Sequence, residues 1–115
     1  MEERLERARR AVMRFLEEGG YSESVRCAHR RCIRSLCVTA LETGAEPTTG
    51  NVATWLGEMR ERLSENTYKA WRIAAYRFAD AWENGVVTIG VGYAHEGSPY
   101  YARLPEWARL LADGY

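Results

Sequence analysis

The sequence predicts an all-α fold, a bundle of four to five helices that ends in an irregular tail and a short final helix. Three observations predict it. Apolar residues recur at helical spacing through four segments between Glu2 and Asn84. Serine or threonine opens the last three of these segments, and glycine closes the first, second and fourth. The connections are short, so the amphipathic segments must bury their stripes against one another.

The first helix is expected from about Glu2 to Glu18, where Leu5, Ala8, Val12, Phe15 and Leu16 repeat and Gly19-Gly20 supplies the stop. Ser22 caps the second. Its face is Val25, Ala28, Cys32, Ile33, Leu36 and Ala40, and it ends near Thr43-Gly44. Thr48 or Thr49 caps a third helix with the stripe Val52, Trp55, Leu56, Met59 and Leu63; Gly57 within it marks a candidate close crossing. Ser64 stops that helix and caps the fourth, whose face is Tyr68, Trp71, Ala75, Phe78, Ala79 and Trp82, up to Asn84-Gly85. Residues 1–85 thus form the helical domain, with 86–115 as linker and tail. Val86 to Val91 reads as extended chain, and a short helix fits Pro105 to Ala112, with proline in its first turn.

A chain of 115 residues, 46% apolar and 28% charged, has room for one hydrophobic core and is ordinary for a globular domain. No run approaches the roughly 20 apolar residues of a membrane span. The opening MEERLERARR lacks a signal-peptide core, and three cysteines suit reduced thiols, so a soluble cytoplasmic protein without membrane partners is expected. Formal net charge is zero, yet the stretch from Ser24 to Leu41 holds Arg26, Arg30, Arg31 and Arg34 and no acid. That asymmetry allows a directional binding face on a neutral molecule.

Most catalytic and metal patterns fail on spacing. Cys27, Cys32 and Cys37 are five apart, about 140° per step on a helix, and cannot converge on one zinc. His29 follows Val25 by one turn and reads as a locally bonded core-edge histidine; His95 opens no HExxH pattern. Gly90-Val91-Gly92 lacks the rest of a dinucleotide fingerprint, and neither a nucleophile elbow nor paired catalytic carboxylates are present. No catalytic residue, metal or small-molecule cofactor is therefore expected. The basic positions say more. Arg26, Arg30 and Arg34 form an i, i+4 stripe away from the apolar face of the second helix. On the fourth, Lys69, Ile73, Tyr76 and Arg77 form the outward face, with Asn66 and Thr67 at its start. Cations and amides on a helix face can meet phosphates and base edges; they can equally be solubilising.

Read in order, FLEEGGYSESV, TTGNVATWLGEMRE and LSENTYKAWRIAAYRFADAWENG resemble the N-terminal core-binding domain of the tyrosine recombinases, the phage-integrase family. The resemblance spans about Ala8 to Gly85. It implies a SAM-like orthogonal bundle forming one jaw of a clamp on duplex DNA, with Ser22–Leu41 and Ser64–Glu83 against the major groove. Carried over by position, Arg26, Arg30 and Arg34 contact DNA from one helix, and Thr67, Lys69 and Arg72 from the other; further recombinase subunits on the DNA are implied partners. Arg72 departs from the apolar residue common at its place, and His29 from a common aromatic one. The family's His-x-x-Arg pair is absent, so no tyrosine here has its activating groups. YARLPEWARLLADGY resembles the lead into the family's catalytic domain, as in the N-terminal part of a longer integrase of a mobile element. The alternative left open is a protein-interaction bundle anchored by Ile73 and Tyr76.

Overall fold

In the computed structural model, which describes residues 1–88, four helices follow one another: α1 (Glu2–Glu18), α2 (Glu23–Thr43), α3 (Thr49–Met59) and α4 (Glu65–Asn84). The expected all-α bundle is what forms. Among the described residues there is no strand, and no helix is long and apolar enough to cross a membrane. The tail beyond Thr88 and the helix expected at Pro105–Ala112 lie outside the described residues.

The helix starts follow from local chemistry. Ser22, Thr48 and Ser64 each accept a hydrogen bond from the backbone N–H three residues on, satisfying one of the open donors of a first turn. Gly44 and Gly85 close α2 and α4 at φ of 75° and 80°, a left-handed conformation that costs a side-chain-bearing residue. Their N–H groups return to the carbonyls of Ala40 and Ala81, each at 2.8 Å.

Two expectations about α3 are corrected. It ends at Met59 rather than running on toward Leu63, because Arg60 to Arg62 form the turn that reverses the chain into the Ser64 cap. Gly57 does not mark a close crossing. It is exposed, and a methyl group there would meet open space.

Helix α4 is the axis of the bundle, with α1, α2 and α3 all packed on it. Leu5, Val12 and Leu16 from α1, Ile33 and Leu36 from α2 and Val52 and Trp55 from α3 close around Phe78, Ala74, Ala75 and Ala79. The alanines are the physical means: with only a methyl at these positions, neighbouring helices can approach α4 on several sides. Trp55 of α3 stacks on Trp71 of α4 at 6.0 Å between centroids and 8° between planes, joining the helices where α3 has its widest side chain. At the far end of α4, Arg4 lies 4.0 Å over the Trp82 ring and donates to the Trp82 carbonyl, tying the start of α1 to the C-terminal turn. Buried Asp80 accepts from both the N–H and the hydroxyl of Thr88, and from Asn84.

Candidate nucleic-acid interface

An open groove of about 380 Å³ runs between the first half of α2 and the start of α4, lined by Ser24, Cys27 and Arg31 on one side and Asn66, Thr67 and Trp71 on the other. Ser24, Cys27 and Arg31 are spaced three and four apart, so they share one face of α2. On the α4 side, the Ser64 hydroxyl accepts from the Thr67 N–H at 3.2 Å and donates to Thr67 Oγ1 at 2.9 Å. That arrangement leaves the Thr67 hydroxyl hydrogen available to an incoming acceptor. Beside it Asn66 is exposed.

The sequence-expected residues divide sharply. Asn66 and Thr67 line the groove, whereas Arg26, Arg30 and Arg34 lie on α2 outside it. Arg26 is half-buried, 3.2 Å from Glu23, and its Nε is enclosed with no hydrogen-bond partner. Arg30 is exposed but ion-paired with the same Glu23. The two arginines hold the Glu23 carboxyl below the usual range, Arg30 more strongly through its hydrogen bond. Arg34 is exposed and forms no ion pair among the described residues. Lys69 is exposed and 3.7 Å from Glu65, and Arg72 is half-buried near the Tyr76 phenol.

Arg77 requires a correction. It does not face outward; only 8% of it is exposed. Its guanidinium donates to His29 Nε2 at 3.1 Å and to the Tyr21 hydroxyl at 3.3 Å, and sits over the rings of Phe15 and Tyr21, 5.1 Å from each centroid. Its donors are spent on these buried partners rather than offered to a phosphate. Ile73 and Tyr76 are likewise half-buried rather than exposed, with Tyr76 packed on the core. The single-stripe reading fails because α4 is surrounded. A helix packed on several sides has no outward face over its buried length. The signal was present in Ala74, Ala75, Ala79 and Ala81, small residues distributed around the helix.

The residue that the expected set lacked is Arg31. It is exposed, lines the groove and forms no ion pair among the described residues, and on the helix surface it neighbours Arg34 at i+3. Its i, i+4 relation to Cys27 marks its face, one residue away from the stripe of Arg26, Arg30 and Arg34. The cysteines also take different surroundings. Cys27 lines the groove, Cys32 is buried in the core, and Cys37 is half-buried where the charges of Glu6 and Arg9 reach it. Among the described residues no cluster of three or more histidine, cysteine or acidic side chains could hold a metal.

Comparison with protein-family models, with curated proteins and with solved structures finds no match to this chain.

Proposed function

We propose that this chain is a DNA-binding module that lays the α2–α4 seam on duplex DNA, as the N-terminal clamp half of a tyrosine site-specific recombinase. One observation carries the binding part of this reading. Arg31 and Arg34, exposed cations with no ion pair among the described residues, stand in the acid-free stretch Ser24–Leu41 of α2 and adjoin a groove whose other wall offers the uncharged donors Asn66 and Thr67. Guanidinium groups hold phosphates, while amides and hydroxyls suit either phosphates or base edges. The recombinase part rests on the sequence resemblance. In that reading strand cleavage belongs to another domain, and this chain alone neither nicks DNA nor becomes covalently joined to it.

Titration of labelled duplex with the full chain over a range of salt tests the reading. Few phosphate contacts and zero net charge place the affinity near the non-specific range of about 10⁻⁴–10⁻⁶ M at physiological salt, with a marked salt slope. Absence of binding at low salt, or binding indifferent to salt, rejects it. The protein-interaction alternative draws on Val38 and Leu41, two exposed apolar residues further along α2, each 48% accessible. Loss of a protein partner on changing both to serine, with DNA binding absent, would favour it.

A further inference from the structure

On the face of α2 turned away from Cys27 and Arg31, a buried polar contact that carries no carboxylate joins α2 to α4. His29 is 3% exposed, and both its ring nitrogens are committed. Nδ1 lies 2.9 Å from the Val25 carbonyl oxygen, which can only accept, so Nδ1 bears the hydrogen. Nε2 lies 3.1 Å from an Arg77 nitrogen, and a guanidinium can only donate, so Nε2 offers its lone pair. The geometry admits one tautomer of the neutral ring and leaves no acceptor for a second proton.

We propose that this His29–Arg77 contact is an acid-sensitive latch: protonating His29 turns a hydrogen bond into two adjoining buried cations and drives α2 from α4. The surroundings offer no compensation. From α1 comes the uncharged Phe15 ring, from the α1–α2 turn the Tyr21 phenol, from α2 itself the Val25 carbonyl, and from α4 Arg77. Neither His29 nor Arg77 forms an ion pair with a carboxylate among the described residues. Burial lowers the His29 pKa to about 4 from 6.5; the Val25 carbonyl opposes the shift and the charge of Arg77 adds to it. A depressed folded value means the unfolded chain binds the proton more readily. The contribution is therefore intact above pH 6.5 and is lost as pH falls from 6.5 toward about 4. Glu6 and Glu23, held low by their arginines, have their windows below the ordinary glutamate value and so below most of this one.

Chemical unfolding of the full chain at a series of pH values is the test, beside His29→Gln. Glutamine can accept from Arg77 but does not titrate in this range, and the variant keeps His95, so that residue's contribution is common to both proteins. Between pH 6.5 and 4 the wild-type unfolding constant is expected to rise by one to two orders of magnitude more than that of the variant, roughly the span the linkage allows. Equal pH dependence in the two overturns the latch. Should His29→Gln not fold, nitrogen NMR of the wild-type imidazole decides: an Nε2–H tautomer, or an ordinary titration near 6.5, overturns it. Arg77→Gln supplies the complementary reading, in which His29 must titrate at higher pH than in the wild type; an unchanged value overturns the role of Arg77. Because α2 and α4 also frame the groove, DNA affinity is expected to fall with the latch, although acid ordinarily strengthens phosphate binding. That last expectation rests on the proposed function, and the stability measurement stands without it.

Discussion

Arg31 and Arg77 belong to the same pair of helices, and Arg77 meets the face of α2 turned away from Arg31. Arg31 opens on a solvent groove with neutral donors across from it, whereas Arg77 is enclosed by Phe15, Tyr21 and His29. The residue type is the same and the physical task is not. In water a guanidinium keeps its hydration and can exchange it for a phosphate at little cost. Enclosed, it loses hydration, which lowers the Arg77 pKa, and depends on the groups built around it; its hydrogen bond to the Tyr21 hydroxyl opposes that loss. Charge on a helix is thus a poor guide to binding until the packing around that helix is known.

The contrast can be broken at its heaviest point first. Arg77→Leu leaves the His29 lone pair and the Tyr21 hydroxyl without their buried partner, and is expected to cost about 3 kcal/mol by denaturant unfolding. Residual folded protein should keep its DNA salt slope. A mild effect on stability with a large one on the slope would reverse the assignment of the two arginines.

Next come the exposed arginines. Changing Arg30, Arg31 and Arg34 together to glutamine is expected to leave stability within about 0.5 kcal/mol per site. The slope of log K against log salt should fall by about 0.9 for each phosphate contact removed. Arg31→Gln alone should account for a full step, and Arg30→Gln for less, since Glu23 already engages Arg30. An unchanged slope in the triple variant removes α2 from the interface.

Ser64→Ala touches the groove wall through its support. It removes the cap on the Thr67 N–H and the hydrogen bond that orients Thr67 Oγ1, and is expected to cost about 1 kcal/mol in thermal or chemical unfolding. Smallest of all is Glu23→Gln, which releases Arg26 and Arg30. DNA binding should tighten a few-fold at most at low salt and not at all at high salt, where screening already weakens the pair.

How much of this was legible in the sequence depended on range. Ser22, Ser64, Gly44 and Gly85 act on the backbone within four residues, and the helix boundaries they mark fall where the pattern places them. His29 was readable for the same reason, since its bond to Val25 is local. The end of α3 was not, because the turn at Arg60 to Arg62 is set by where α4 must begin. Arg77 and Tyr76 were misplaced because their surroundings come from distant helices: Arg77 meets Tyr21 and His29, neither of which is near it along the chain. The groove itself depends on how α2 crosses α4, and no spacing within either helix encodes that crossing.

Cys32 carries a consequence for timing. Its thiol is fully enclosed and donates to the Trp71 carbonyl at 3.4 Å across the seam, and burial pushes its pKa far above the thiol range. A thiol reagent meets it only in molecules whose α2 and α4 have parted, so its rate of labelling counts openings of the seam. Cys27, on the groove wall a turn earlier, should be labelled without such opening and shielded when the groove is filled. The pair makes the unmodified chain its own clock and footprint: one sulfur dates the separation of the helices, and the other records what lies between them.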